Sequence, residues 1–205
     1  MDKLPQLIME ISSRLPFTSI TMLRAMLSKK AESLLDVGCG TGLSTQLLLK
    51  GRLLRAVGYD GHGPYLVAAK ERGFYAQVVQ GDVRALPFRE KEFDIVLCSH
   101  VIEHLSQTEG LALLERIEQI ARLQVIVAAP VGFLPQDEFD DNPYQQHRSA
   151  WFPKDFLDRG YRVVGHSIRF LVGDLNIVKL LGFLSVPILG LSWLLQPIPY
   201  LFPSL

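Results

Sequence analysis

Residues 34–49 read LLDVGCGTGLSTQLLL, an apolar run and an amphipathic run separated by glycines at positions 38, 40 and 42. Glycine weakens both strands and helices, so three at alternate positions mark a junction where the main chain turns tightly or lets a ligand approach. A strand that enters a helix through such a junction opens a strand–helix–strand unit. Repeats of that unit build a mostly parallel sheet with helices on both faces.

The same rhythm continues along the chain. LRAVGYD reads as a strand and GPYLVAAKERG as a helix stopped by Gly73. YAQVVQGD is a strand leading into the loop VRALPFREKE, and FDIVLCS is a strand bounded by polar residues. Residues 106–122 predict a helix with Leu111, Leu114, Ile117 and Ile120 along one face. LQVIVAAP is a fifth strand, a long loop runs to Ala150, FPKDFLDRG is a helix, and YRVVGHSIRFL is a last strand. Ahead of this series, residues 1–30 form a helical cap broken near Pro16. The domain proper occupies residues 31–172, and residues 173–205 are an apolar tail.

In an open parallel sheet, ligands bind beyond the carboxyl ends of the strands. Gly38, Gly40 and Gly42 lie at that end of the first core strand and make room for a nucleotide-like ligand. Their G-x-G-x-G spacing differs from the G-x-G-x-x-G of dinucleotide sites, and a P-loop lysine is missing. Asp36, two residues ahead of Gly38, disfavours a pyrophosphate and suits a cationic ligand.

LLDVGCGTG resembles the first motif of class I S-adenosylmethionine-dependent methyltransferases. AVGYDGHGPYLVAAKERG, VVQGDVRALPF, EFDIVLCSHVIEHL and VIVAAP follow in that family's order and at similar spacing, closest to its type 11 branch. The resemblance covers roughly residues 31–165. It implies a Rossmann-like doubly wound α/β fold, S-adenosylmethionine as cofactor, and methyl transfer to oxygen or carbon of a small-molecule or lipid-like acceptor. Asp36 would lie near the amino-acid end of the cofactor, with Gly38, Gly40 and Gly42 as its floor. Asp60 would take both ribose hydroxyls, since a carboxylate accepts two parallel hydrogen bonds. Asp82 would accept from the adenine amino group, with the Val83 backbone beside the ring. Gly61 and Ser99 complete the cofactor set. A non-catalytic cofactor-binding or assembly protein and a nicotinamide-dependent oxidoreductase are the competing readings.

Methyl transfer from a sulfonium asks the protein mainly to align the nucleophile and exclude water. A protic acceptor also needs a base, and histidine is the usual supplier near neutral pH. His100, just past the fourth strand, and His147, in the long loop, are the catalytic candidates. His104, in IEHL, is read as an anchor of the turn. Some quinone O-methyltransferases of this family carry E-x-x-E-H at this turn and can hold a divalent ion there. His100 replaces the first acid here, and one helical turn would have to present His100, Glu103 and His104 together, so no metal is assigned. The acidic run QDEFDD is read as a solvated loop.

Lysine plus arginine and aspartate plus glutamate stand at 21 each, so net charge is zero. That balance argues against nucleic acid as the main partner, because such domains carry a basic footprint. Cys39 and Cys98 are too few for a disulfide framework, and reduced thiols in a cytoplasmic setting are expected. The N-terminus lacks the apolar run and cleavage site of a secretory signal.

From Leu180 to Leu205 there is no charged residue. Ile177 to Gln196 just reaches the roughly 20 residues a spanning helix needs, but Lys179 and Pro187 interrupt it. Prolines at 187, 197, 199 and 203 favour two short apolar helices lying on a bilayer face. That reading places the protein at the cytoplasmic face of a membrane. An oligomer interface and a true span are the alternatives. The seventh, antiparallel strand usual in the family is not found in this sequence.

Overall fold

A computed structural model describes residues 9–11, 13–14, 18–138, 141–165, 195 and 198. Five parallel strands form one sheet: β1 (Ser33–Val37), β2 (Arg55–Asp60), β3 (Gln77–Gln80), β4 (Phe93–Ser99) and β5 (Ala121–Ala128), in the order β3-β2-β1-β4-β5. The helices are α1 (Ser19–Met26), α2 (Leu43–Leu48), α3 (Gly63–Glu71), α4 (Gln107–Ile120) and α5 (Pro153–Leu157). The expected α/β architecture is therefore present. Strand order reverses at the β1/β4 boundary, where such sheets bind ligands beyond their carboxyl ends.

Successive residues of a strand point to opposite faces, and β1 divides its apolar residues accordingly. Leu35 and Val37 join Val96, Cys98, Leu113, Leu114, Ile117 and Ile120 in the core under α4. Leu34 joins Leu27, Leu48, Leu49, Ile95, Leu97 and Ile126 on the other face, against α1 and α2. Each fully buried Leu or Ile contributes about 1.5–3 kcal/mol over leaving it in water. Because both faces are covered, the strands read as continuous apolar runs rather than alternating ones.

Polar ties set the ends of these elements. Arg24, in the last turn of α1, donates from Nε to the Leu48 carbonyl at 3.2 Å and from Nη2 to that of Leu47 at 2.5 Å, filling acceptors that the C-terminus of α2 leaves open. Asp94 on β4 accepts from the Glu32 amide at 2.9 Å, the Ser33 amide at 3.2 Å and Arg122 Nε at 2.8 Å. The Glu32 amide is the foremost of the donors that hold its carboxyl below the usual range, against the opposing effect of burial. Ser106 caps α4 through a reciprocal bond with Glu109, which returns to the Ser106 amide at 2.9 Å. Replacing Ser106 with alanine should cost about 1 kcal/mol, read as a lowered denaturation midpoint with an unchanged slope.

Two differences from the sequence reading go beyond shifts of a residue or two at the ends of strands and helices. The helix expected over 106–122 ends at Ile120, and β5 begins at the next residue. Ala121 pairs with Phe93, and Arg122 is held by Asp94, so these two residues serve the sheet. The strand expected over 161–171 is not seen in its described part, residues 161–165. Tyr161 instead donates its hydroxyl to Glu118 on α4 at 2.9 Å, beside an Arg159–Glu118 ion pair of 2.8 Å. The remainder of that strand and nearly all of the apolar tail lie outside the described residues. Among the described residues, no helix is long and apolar enough to cross a membrane. Cys39 and Cys98 are both free thiols, and burial pushes both well above the usual range.

Candidate functional site

The carboxyl ends of β1, β2, β3 and β4 carry nearly all of the predicted site. Gly38, Gly40 and Gly42 have φ of +69°, +53° and +75°, in the left-handed region that favours glycine. The Gly38 and Cys39 amides donate to the Tyr59 carbonyl at 2.8 and 3.1 Å, binding the start of the glycine loop to β2. Asp60 braces its middle. One carboxylate oxygen accepts from the Gly40 amide at 2.8 Å, and the other from the His62 amide at 2.8 Å.

Asp36 faces the α2 side of β1 and is 3% exposed. Tyr75, at the entry to β3, donates its hydroxyl to Asp36 Oδ2. Burial drives the Asp36 pKa up to about 6 from its ordinary 3.8; bonds from Tyr75 and Thr45 partly oppose this, and the Asp60 charge adds to it. Asp36 is thus a buried carboxyl tied to Tyr75, two residues ahead of the glycine loop. Tyr75 is the partner that the sequence reading missed. A tyrosine at a helix–strand junction is ordinary in sequence and gains meaning only once β3 lies beside β2.

Asp82 and Val83 sit past the end of β3, where Asp82 caps the short turn Val83–Ala85. The Asp82 carboxylate is already engaged. Arg84 Nε reaches it at 2.9 Å and Nη2 at 2.6 Å, and the same guanidinium holds Glu109 at 3.0 Å. These bonds pull the Asp82 pKa below its ordinary value. An adenine amino group would therefore share this carboxylate with Arg84. Gly61, next to Asp60, faces Tyr144 from the loop after β5: a Cβ built on Gly61 would lie 3.1 Å from the tyrosine ring.

Ser99 ends β4, and His100 follows with φ of +56°, a conformation uncommon outside glycine. Its amide donates to the Ala128 carbonyl at 2.8 Å, and its Nδ1 lies 3.2 Å from Glu103 Oε1. The His100 side chain is 66% exposed, whereas that of Glu103 is 1% exposed. The Glu103 hydrogen bond raises the His100 pKa.

His147 is brought against His104 with ring centroids 4.8 Å apart, while His100 pairs with Glu103. His104 Nδ1 lies 3.3 Å from the Gln146 carbonyl, so it ties the turn after β4 to the loop after β5. That loop is well anchored. The Arg148 and Ser149 amides donate to the Glu103 carbonyl at 2.7 and 3.2 Å, and Trp151 is buried against Gly110 of α4.

A family model described as a methyltransferase domain matches residues 35–127. The chain is 27% identical over 184 residues to an uncharacterized protein of Methanocaldococcus jannaschii, covering 81% of this chain and 72% of that one. It is 34% identical over 97 residues to a probable tRNA methyltransferase 9B of Homo sapiens, covering 47% of this chain but 20% of that protein's length. Among solved structures, it resembles a SAM-dependent methyltransferase from Archaeoglobus fulgidus, with TM-score 0.53, 20% identity and coverage of 73% of this chain and 74% of that one. It also resembles a putative methyltransferase from Bacillus halodurans, with TM-score 0.53, 22% identity and coverage of 68% and 65%.

Proposed function

We propose that this chain, whose residues 35–127 match a methyltransferase domain, is a class I S-adenosylmethionine-dependent methyltransferase that acts on a small-molecule or lipid-like acceptor with His100 as the base. The observation that carries this reading is the junction of two pieces at the β1/β4 switch point. A left-handed glycine cradle braced by Asp60 lies on one side, and an exposed histidine fixed by a buried glutamate on the other.

Each piece has a role in the transfer. The glycine loop and Asp60 seat the nucleoside, with Asp36 near the amino-acid end of the cofactor. Gly61, Val83 and Ser99 line the same crevice, and Asp82 shares its charge with Arg84. When His100 Nδ1 donates its proton to Glu103, Nε2 keeps a lone pair, as the dependence of one ring nitrogen on the other's hydrogen bond requires. When bound, S-adenosylmethionine would supply an electrophilic methyl group to a hydroxyl acceptor and would leave as the neutral thioether. The hydroxyl proton passes to His100 Nε2. The uncharged stretch 180–205 supports a lipid-like acceptor and contact with a membrane surface.

Calorimetry with S-adenosylmethionine, its demethylated product and NAD should give binding to the first two only. Methyl-labelled cofactor incubated with host extract and the protein should then place label in the organic phase. Label in RNA instead would replace this acceptor class with the one named for the tRNA methyltransferase relative. His100→Gln should lower transfer about 10²–10⁴-fold, the usual contribution of a general base, with cofactor affinity unchanged. Equal rates for the two proteins would remove His100 from the chemistry.

A further inference from the structure

The turn after β4 and the loop after β5 bring Glu103, His104 and His147 together, with one ligand atom of each within 4.8 Å of the others. Sequence alone assigned no metal here because a single helical turn would have to present His100, Glu103 and His104. The fold supplies a different set. His147 arrives from another loop as the third donor, and His100 becomes a partner of Glu103.

Three features show donors already arranged. His104 Nδ1 lies 3.3 Å from the Gln146 carbonyl and His147 Nδ1 2.5 Å from the Leu134 carbonyl. A carbonyl oxygen only accepts, so each Nδ1 carries the proton and each Nε2 is left with its lone pair. Metal-bound histidines are oriented in this way, by a second ring nitrogen donating to a carbonyl or carboxylate. The third feature is Glu103 itself. It is 1% exposed, Oε1 faces His100, and Oε2 is the one buried side-chain oxygen or nitrogen among the described residues without a hydrogen-bond partner. A buried carboxylate oxygen left unpartnered is costly unless it is paired or coordinates a metal.

We propose that Glu103, His104 and His147 form a site for a divalent transition metal. Two imidazoles and a carboxylate select a cation of the zinc, ferrous or cobalt class over magnesium or calcium, which take oxygen ligands. Three protein ligands leave a fourth position for water or for a donor atom of the methyl acceptor. The site goes beyond the methyl-transfer reading and does not depend on it.

The test uses the full chain without affinity-tag histidines, stripped with a chelator and titrated with cobalt(II), with equilibrium dialysis and visible absorption as readouts. The expected result is one cobalt per chain with the intense absorption of four- or five-coordinate geometry. Glu103→Gln and His147→Ala should each weaken binding at least about tenfold, the lower end of what losing even an outer-sphere partner costs. His62→Ala should leave binding unchanged. Thermal melts check that the variants are folded, and S-adenosylmethionine titration of the metal-free protein tests the cofactor reading separately. Cobalt retaining its aqueous spectrum, or binding the folded His147→Ala protein as tightly as the wild type, overturns the site.

Discussion

Replacing Gly38 with alanine should destabilise the protein by about 2–5 kcal/mol and weaken S-adenosylmethionine binding at least about tenfold. Two costs add. At φ of +69° any other residue is strained, by about 1–2 kcal/mol. The new methyl would also lie 2.3 Å from Val101 Cγ2, and forcing extra volume into a packed site typically costs about 1–3 kcal/mol. Relief of that clash moves the Gly38 amide off the Tyr59 carbonyl and carries Gly40 away from Asp60, which is why affinity falls together with stability.

Gly51 separates the two costs. Its φ is +81°, and a Cβ there would meet nothing within 4 Å, so Gly51→Ala should show the backbone cost alone. Adding Val101→Ala to Gly38→Ala should return part of the affinity. Denaturant midpoints and cofactor titrations of the three variants check this. A Gly38→Ala protein no less stable than Gly51→Ala would contradict the packing at the loop.

The second large effect has the opposite sign for stability. Asp36 titrates at about 6 in the folded protein and at 3.8 as an ordinary carboxyl, chiefly because it is buried. The folded state therefore binds more protons than the unfolded state between these values, and stability falls as pH rises through them. Once the pH is well above 6, holding the carboxylate ionised in the interior costs about 3 kcal/mol, because each tenfold difference in proton affinity between the two states is worth about 1.36 kcal/mol. Asp36→Asn keeps an oxygen for the Tyr75 hydroxyl and removes the charge. The variant should be more stable by up to about 3 kcal/mol near pH 8 and by about half that near pH 5, while binding the cofactor more weakly. Urea unfolding at the two pH values checks the first statement and calorimetry the second. An unfolding free-energy difference independent of pH would show that the carboxyl is not the group responsible.

The sheet was legible because both of its faces are buried. FDIVLCS matches β4 residue for residue, and the other core strands differ only at their ends. Edges were less clear where tertiary partners decide them. Ala121 and Arg122 continue the helical pattern of α4, yet they belong to β5 because Phe93 and Asp94 claim them. In the site, the three left-handed glycines could be read from their spacing, since local backbone geometry demands them, whereas Asp60 followed only from the family resemblance. The partners of the acids could not. Tyr75 reaches Asp36 from 39 residues away, and Arg84 reaches Asp82 through a side-chain fork that spacing does not specify. His147 was legible as a rim residue, but its approach to His104 depends on how the loop after β5 returns.

That return closes the loop on itself. Val131 and Gly132 bridge to Trp151, and the Gly132 amide donates to the Trp151 carbonyl at 2.7 Å. The stretch between is tied as well to the turn after β4, through the Arg148 and Ser149 amides on the Glu103 carbonyl and His104 beside the Gln146 carbonyl. Closing such a loop grows costlier only slowly with its length, by about 0.6 kcal/mol per doubling. Between these ties its length can vary at small entropic cost, while β1 and β2 keep the glycine loop in place.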